Sequence, residues 1–578
     1  MPHVPPPPKP VLNTAGEDQE FPAFLEEDLA AAHALEVEDF FRTILGVSVA
    51  WVDAHHSSLK EIVQSREWRD AGSGSGSGFG QLVGKATEML TTVGLIDTPP
   101  TFSVLNESPS LLPSHTPGVL TTLLPSTAAR STFHEAHLRL AKAAHSQLSH
   151  GSWRSFVLGA VVVNGKIQLA YFDHSIIVIS RPFHILQQPV LYLTLLCGLG
   201  RLQAYSPIPG DTGVAVDHSH PGGIRLRLSN GALIQLGEVL HQQTGLVGRA
   251  TCVVRVEQTE RCSRRDWDGK RLVMKILWAP KQRMSEVDVI GLARERAVAT
   301  GEVWVLEHLP DVLHCQEYVT GDEGMQARLQ SSFGECYEER VLRMVVEEEL
   351  QPLGLLRDPV ELATVARDVF QCYRWLYEEC NISHRDISHS NVMWLYKKAC
   401  VKGVLNDFDL ASVGESTERQ PPSHGTGTRL FMAIELLGTQ IPPHYYRHDL
   451  ESLMYVMLWH ASRYTATAIL KPSPYERWGL PLIDSDILEA YKIRFIHDEV
   501  PQLTSHCEAL KDWICRMQLL FRRGFQARRN AQEAGDVGFD EETLGGVVTF
   551  DSFARICDQS LLELVAKHSD SSRSIVHL

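Results

Sequence analysis

The sequence predicts an α+β protein in which a small β-rich lobe precedes a larger α-helical lobe. Apolar runs separated by short turns, from Val239 to Val256 and from Arg271 to Trp278, are typical of neighbouring antiparallel strands. Helical periodicity then dominates, from Pro359 to Glu379 and again beyond Asp449. Because the β-rich part is short and the helical part is long, we expect two lobes of unequal size.

An α/β domain is predicted before the two lobes. The runs Phe156–Val163 and Lys166–Phe172 flank Asn164-Gly165, a pair that suits a type I′ turn, so they predict a β-hairpin. Helices are predicted near Ser131 and at Pro189–Leu199. Pattern and composition together divide the chain into a Pro-rich disordered tail (1–23), a helical segment (24–68), a Gly/Ser- and Pro-rich linker (69–130), the N-terminal α/β domain (131–235), the small lobe (236–350), the large lobe (351–565) and a tail (566–578).

Composition narrows the class of protein. The chain has 578 residues and a formal net charge of −16, so nucleic acid or an anionic membrane is not expected as its main ligand. The 11 cysteines form no CxxC pair, which favours a reducing, intracellular location in the cytoplasm, the nucleus or both. The first residues lack the pattern of a signal peptide, and the longest apolar run is too short to span a bilayer.

The most informative motif is His-Arg-Asp-Ile-Ser-His-Ser-Asn at 384–391. It follows a predicted helix in which Asp358 is the N-cap and Pro359 is the first helical residue. Asp386 and Asn391 are therefore expected on a loop that leaves a well-defined helix.

Two short strands, Val392–Tyr396 and Val401–Leu405, are predicted to connect that loop to Asp407. Transfer of a phosphoryl group to a hydroxyl needs a carboxylate that orients the hydroxyl and accepts its proton, together with oxygen ligands for Mg²⁺. Asp386 is the candidate for the first task. Asn391 and Asp407, which the hairpin brings to the same cleft, are the candidates for the second.

These motifs resemble those of protein kinases, and among them those of the fungal-type protein kinase family. The resemblance is carried by HRDIS at 384–388, by DFDLA at 407–411 and by HDLESLMYVMLW at 448–459, and it covers residues 130–565. It implies a bilobal protein-kinase-like fold, ATP and Mg²⁺ as cofactors, and a serine or threonine of a protein substrate as the acceptor. The N-terminal domain is a candidate site for a further partner.

The resemblance implies a phosphate-binding lysine and its acidic partner. Val273-Met274-Lys275-Ile276 is similar to the kinase VAIK strand, so Lys275 would bind the α- and β-phosphates. Glu286, at the start of the next predicted helix, is the preferred partner of Lys275, and Glu295 is the alternative.

A glycine loop and an adenine site are also implied. The loop at 245–251 lacks the third glycine of GxGxxG and is also compatible with an ordinary hairpin turn, but its backbone N–H groups can still cradle phosphate. Adenine is expected near the end of the apolar strand 341–346. The predicted nucleotide-binding residues, besides Lys275, are Gly245, Gly248, Ala250, Val253, Met344 and Glu347.

The segment Gly427–Glu435 resembles the end of a kinase activation segment. Thr428 matches the threonine that serine/threonine kinases keep near the catalytic aspartate, and Asp449 matches the aspartate that braces the HRD backbone. Arg385 would bind a phosphate on the polar loop at 412–425, so we expect phosphorylation there to order the site. Glu435 is expected to pair with a late buried arginine, for which the candidates are Arg522, Arg523, Arg528 and Arg529.

Two departures from the kinase pattern leave alternatives open. Ser388 stands where serine/threonine kinases carry lysine, and Asp409 replaces the glycine of DFG, which permits a backbone flip that aspartate resists. A pseudokinase or scaffold is therefore the second interpretation. The third, a small-molecule kinase of the aminoglycoside or choline type, is disfavoured by the segment from Thr428 to Glu435 and by HRD in place of HGD.

Overall fold

The structure is a computed structural model that describes residues 25–26, 28–73, 79–105, 119–123, 130–149, 155–203, 216–217, 224–243, 246–260, 267–318, 323–414, 428–480 and 483–575. These residues belong to two compact units. The first contains the described residues up to Arg283 together with Leu313–Val346. The second contains Met284–Val312 and the described residues from Glu347 onward.

Helices and strands are both abundant, and this mixed content is compatible with the predicted α+β class. The described helices are α1 (Val37–Thr43), α2 (Val49–Gln64), α3 (Arg66–Ser73), α4 (Phe79–Thr92), α5 (Arg130–Ser149), α6 (Pro189–Gln203), α7 (Glu286–Thr300), α8 (Glu323–Phe333), α9 (Pro359–Cys380), α10 (Tyr446–Arg463), α11 (Ser485–Asp498), α12 (Lys511–Ala534) and α13 (Phe550–Ile575).

The described strands fall into four sheets. They are β1 (His33–Leu35), β2 (Phe102–Val104), β3 (Val119–Leu123), β4 (Phe156–Val163), β5 (Lys166–Asp173), β6 (Ile177–Ser180), β7 (Phe183–His184), β8 (Val216–Asp217), β9 (Arg225–Arg227), β10 (Leu233–Gln242), β11 (Cys252–Glu260), β12 (Leu272–Pro280), β13 (Val312–Tyr318), β14 (Arg340–Glu348), β15 (Gln351–Pro352), β16 (Ile382–Ser383), β17 (Val392–Lys397), β18 (Cys400–Leu405) and β19 (Ser412–Val413).

The first sheet of the first unit has helices on both faces. Its order is β1-β6-β5-β4-β3-β2, with β7 paired to β5. Asn164 and Gly165 connect β4 to β5 with φ of 50° and 70°, as the predicted type I′ turn requires. Along β4, Ala160 and Val162 pack in a core with α1, α2, α4 and α6, whereas Val161 packs in a core with α5.

The second sheet of the first unit has the order β13-β14-β12-β11-β10-β9-β8. Its strands β10, β11 and β12 pair antiparallel, as the sequence predicts. The register places Lys275 of β12 opposite Val253 of β11.

The second unit is built around α9 and the almost fully buried α10. The Asp358 side chain caps α9 by accepting hydrogen bonds from the N–H groups of Val360 (2.7 Å) and Glu361 (3.0 Å), as predicted. The hairpin β17–β18 packs directly on α9. Gly403 permits this approach, because a Cβ at that position would lie 2.5 Å from the carbonyl oxygen of Val365.

The structure corrects several predicted boundaries. The predicted helical segment 24–68 also contains strand β1, and the predicted linker 69–130 contains α4, β2 and β3. Strands β1–β3 are three to five residues long and join parallel neighbours, so they have little local periodicity by which to be recognised. Strands β8 and β9 join the second sheet although they precede residue 236, and α13 continues past residue 565 to Ile575. The Pro-rich tail at 1–23 lies outside the described residues.

None of the helices in the described ranges combines the length and the apolarity that crossing a membrane requires. The ten described cysteines are all free thiols.

Candidate active site

The loop that carries Asp386 is held from behind by Asp449 of α10. The backbone N–H of Arg385 donates to both carboxylate oxygens of Asp449, at 3.1 and 3.3 Å, and the Tyr373 hydroxyl donates to the same carboxylate at 2.6 Å. This is the bracing contact that the resemblance implied. Burial alone would raise the pKa of Asp449, but the nearby His444 and the hydrogen bonds from His444 and Tyr373 outweigh it and lower the pKa to about 2.

Three predicted site residues meet at the Asp386 carboxylate. Its Oδ1 accepts a hydrogen bond from the backbone N–H of Thr428 at 2.8 Å, and its Oδ2 accepts one from Asn391 Nδ2 at 3.0 Å. Asn391 Nδ2 also donates to the Asp386 carbonyl at 2.9 Å. Because the amide nitrogen of Asn391 faces Asp386, the Oδ1 atom of Asn391 is the one left to act as an oxygen ligand of a metal ion.

The hairpin β17–β18 brings Asn391 and Asp407 to the same end of one element. Val392 pairs with Leu405, and the N–H of Asn406 donates to the carbonyl of Asn391 at 2.8 Å. The predicted juxtaposition of Asn391 with the start of the Asp-Phe-Asp motif is therefore a direct result of the hairpin register.

A cluster of three carboxylates lies beside this hairpin. Glu286, Asp407 and Asp409 each place one oxygen within 4.8 Å of the others, and Glu286 is buried. An all-oxygen, acidic donor set suits a hard divalent cation such as Mg²⁺. The residues present therefore fit a magnesium ion, with Asp407 and Asn391 as the predicted ligands and Asp409 as an additional one.

Asp409 is a candidate metal ligand that the sequence analysis does not include, because there it is only the residue that replaces the flexible glycine of DFG. Of the residues in the two motifs, Arg385 (φ 68°) and Asp407 (φ 64°) have a left-handed backbone, whereas Asp409 does not. The available signal was a second carboxylate two positions after Asp407, in the loop that follows β18.

His384 connects the two loops of the site. Its Nε2 lies 3.1 Å from the carbonyl oxygen of Asn406, and its ring packs edge-on against Phe408 with centroids 5.0 Å apart. Both side chains are buried, and burial lowers the pKa of His384. The first histidine of the motif therefore has a structural role, aligning Asp386 with Asp407.

The end of the predicted activation segment is held by a buried ion-pair network. Glu435 bonds to Arg447 of α10 and to Arg528 of α12, and His448 Nε2 lies 3.4 Å away. Although burial alone would raise the pKa of Glu435, His448 and Arg447 hold it well below its ordinary value. Of the four candidate arginines, Arg528 is the partner, and Arg447 is a second partner that the sequence interpretation did not include.

The predicted nucleotide-binding residues Lys275, Val253 and Met344 lie in the second sheet of the first unit. Lys275 is buried in β12, Val253 is half-buried on β11, and Met344 is buried in the apolar core of that sheet. Glu286 is the first residue of α7 and follows the N-cap Ser285, whereas the alternative Glu295 is exposed. The pairing of Lys275 with Glu286, which belong to different units, stays a prediction, as does the role of the half-buried Glu347.

The loop predicted to cradle phosphate is bonded to the N-terminal part of its own unit. The carboxylate of Asp28 accepts hydrogen bonds from the N–H groups of Leu246 (2.7 Å) and Val247 (3.4 Å), and the His174 carbonyl accepts one from Gly248 (2.8 Å). The N–H groups of Leu246, Val247 and Gly248 are thus bonded to protein acceptors, and the phosphate contact predicted for this loop stays a prediction.

Ala250 and Gly245 are the remaining predicted nucleotide-binding residues of this loop. Ala250 has a left-handed φ of 47°, a conformation that favours glycine. Gly245 lies outside the described residues, as do residues 415–427 of the predicted activation loop, so the role of Arg385 in binding a loop phosphate stays a prediction.

Asp386 is fixed beside Asn391 on the loop after a long helix, and the acidic pair Asp407 and Asp409 follows the next hairpin. This arrangement defines a kinase-like phosphoryl-transfer site. The chain matches the sequence profile of the family described as Fungal protein kinase over residues 119–461, and it belongs to that family. Membership implies kinase activity, ATP and, usually, Mg²⁺. No protein of curated function matches the chain significantly.

Proposed function

We propose that the protein is a serine/threonine protein kinase that transfers the γ-phosphoryl group of ATP to hydroxyls of protein substrates. The observation that supports this most directly is the hydrogen-bonded arrangement of Asp386, Asn391 and Thr428. It fixes one carboxylate at the end of the catalytic loop in an orientation suited to a substrate hydroxyl.

In this proposal Asp386 orients the acceptor hydroxyl and receives its proton as the phosphoryl group is transferred. Asn391 Oδ1 and Asp407 would hold Mg²⁺, with Asp409 completing the acidic set. When bound there, Mg²⁺ would neutralise part of the negative charge on the triphosphate. Lys275 would bind the α- and β-phosphates, as the similarity of its strand to the VAIK motif implies.

The choice of serine and threonine as acceptors is supported by Thr428. This residue matches the position at which serine/threonine kinases keep a threonine, and its N–H bonds to Asp386. The resemblance to small-molecule kinases remains weaker, because Glu435 at the end of the same segment is tied into the second unit by Arg447 and Arg528.

The test is the transfer of radiolabelled γ-phosphate to dephosphorylated casein by the wild-type chain and by Asp386→Asn, with the phosphorylated residues mapped. Asparagine can still accept the Thr428 hydrogen bond but cannot receive the proton, so we expect the rate to fall by at least about a hundredfold. Asp498→Asn, a change of an exposed aspartate on α11, is the matched control and should leave the rate unchanged. Equal rates in wild type and Asp386→Asn would refute the proposal.

A pseudokinase is the second candidate, and the contacts of Asp28 and His174 with the predicted glycine loop favour it. Ser388, which stands where serine/threonine kinases carry lysine, is fully buried and bonds to Ser390. Because serine is neutral, this position supplies no cation. Thermal stabilisation by ATP and Mg²⁺ without phosphate transfer would support this second candidate. Stabilisation with transfer would eliminate it.

A further inference from the structure

Lys492 of α11 is a fully buried lysine for which the kinase motifs give no role. Its Nζ donates to the backbone carbonyl of Met432 and lies 3.4 Å from that of Arg429. Both carbonyls belong to the stretch between Thr428 and Glu435, which begins with the N–H group that binds the Asp386 carboxylate. A buried ammonium therefore holds the backbone that directly follows the catalytic contact.

The surroundings of Lys492 are aromatic and acidic. Its Nζ lies 4.5 Å from the ring centroid of Tyr455 and 5.9 Å from that of Trp478. Glu451, one turn before Tyr455 on α10, is also fully buried. Its Oε1 accepts hydrogen bonds from the Ile434 N–H (3.0 Å) and from the Tyr455 hydroxyl (2.7 Å).

Lys492 and Glu451 therefore bond to the same stretch of backbone. Lys492 binds the carbonyls of residues 429 and 432, and Glu451 binds the N–H of residue 434. Packing alone does not require these charges, because an apolar side chain of similar volume fills a buried site without the cost of desolvating an ammonium. What the lysine adds is a set of directed donors to backbone carbonyls.

We propose that Lys492 is a positioning residue for protein-substrate binding, which fixes residues 429–432 beside the catalytic Asp386. This inference rests on the proposed kinase function and deepens it. Within the described part of the second unit, the contacts of Lys492 go to residues 429, 432, 455 and 478, which are not predicted nucleotide or metal ligands. Its loss should therefore weaken the binding of the protein substrate and spare the binding of ATP. The split between the two KM values is the signature of this role.

The site also predicts a pH dependence. Burial lowers the pKa of Lys492 to about 7, against the opposing effect of Glu451, while burial raises the pKa of Glu451. Among the described residues, the other ionisable groups that interact with this pair are Tyr455 on α10 and, through Glu451, Glu435. Because charge-assisted hydrogen bonds are stronger than neutral ones, loss of the Lys492 proton above pH 7 should loosen residues 429–432.

The experiment compares the wild-type chain with Lys492→Met, which keeps the volume, and with Lys492→Arg, which keeps the charge. Dephosphorylated casein is the protein substrate. In Lys492→Met we expect the KM for casein to rise by about tenfold or more, since a charge-assisted hydrogen bond is lost, with the KM for ATP within about twofold of wild type. Lys511→Met, which removes an exposed lysine of α12, is the matched control and should change neither value.

The pH profile gives an independent readout that a merely structural role would not produce. The wild-type KM for casein should rise between pH 6 and 8.5, and Lys492→Arg should show no such rise because arginine stays charged. An unchanged KM for casein in a folded Lys492→Met, or an equal rise in both KM values, would overturn the inference.

If the wild-type chain transfers no phosphate, the proposed function fails, but the placement of the backbone is still testable. Amide exchange of residues 428–436 should then be faster in Lys492→Met than in wild type and Lys511→Met. Equal exchange in all three proteins would overturn the positioning role by itself.

Discussion

The backbone N–H of Thr428 lies 2.8 Å from Oδ1 of Asp386, although the two residues are 42 positions apart. This contact aligns the catalytic loop with the segment that ends at Glu435. The segment is held elsewhere by Lys492, Glu451, Arg447 and Arg528, so the orientation of one half-buried carboxylate depends on several buried charges of the second unit.

Asp409 is expected to contribute to metal binding. In Asp409→Asn, one of the three clustered carboxylates loses its charge, so the Mg²⁺ concentration that gives half-maximal stabilisation by ATP should rise on the order of tenfold. Thermal unfolding at fixed ATP and increasing Mg²⁺ measures this without relying on activity.

Asp498→Asn is the control for a simple change in net charge and should leave the Mg²⁺ dependence unaltered. Asp409→Gly, which restores the DFG sequence, should weaken metal binding as Asp409→Asn does. Tighter Mg²⁺ binding in either Asp409 variant would show that this carboxylate repels its neighbours without contributing to the site.

Local sequence predicted turns, caps and hairpins better than it predicted contacts between residues that are distant along the chain. The cap at Asp358, the type I′ turn at Asn164-Gly165 and the hairpin after Asn391 follow from neighbouring residues, and all three are present. The pairing of Glu435 with Arg447 is not encoded locally, because it depends on how α10 packs against the segment at 428–436. Strands β1–β3 were missed for the same reason, since they join neighbours that are distant in sequence.

Breaking the buried ion pairs of Glu435 should destabilise the second unit strongly. In Arg528→Ala, Glu435 keeps Arg447 and His448 but loses one charged hydrogen-bond donor, and we expect a loss of about 2 kcal/mol. Differential scanning calorimetry measures the change in the unfolding temperature. Arg296→Ala breaks an exposed pair with Glu379 and should cost less than about 1 kcal/mol. Equal destabilisation by the two variants would contradict the role assigned to the buried network.

Acid should weaken the brace formed by Asp449. Its folded pKa of about 2 lies below the ordinary value of 3.8, so its contribution to stability is fully present above about pH 5 and is lost as the pH falls towards 2. The shift corresponds to about 2 kcal/mol, given that one pKa unit is equivalent to about 1.4 kcal/mol.

The unfolding temperatures of wild type and Asp449→Asn, measured from pH 7 down to pH 2.5, test this contribution. Their difference should be constant above pH 5 and should shrink below pH 4. A difference that stays constant to pH 2.5, as expected for the exposed control Asp498→Asn, would mean that the carboxylate is not held in its charged form.

The contact between Asp28 and the loop at 246–250 is expected to control the mobility of that loop. In Asp28→Ala the N–H groups of Leu246 and Val247 lose a charged acceptor, so their amide exchange should become faster by about tenfold or more. Hydrogen–deuterium exchange with mass spectrometry measures the exchange of the peptide that contains residues 246–250.

Two further variants serve as controls. Asp28→Asn keeps one acceptor oxygen without the charge and should give an intermediate rate, whereas Glu26→Ala, at an exposed acid two residues earlier, should match wild type. If Asp28→Ala exchanges at the wild-type rate, Asp28 does not hold the loop, and the N–H groups of residues 246 and 247 are available to another anion.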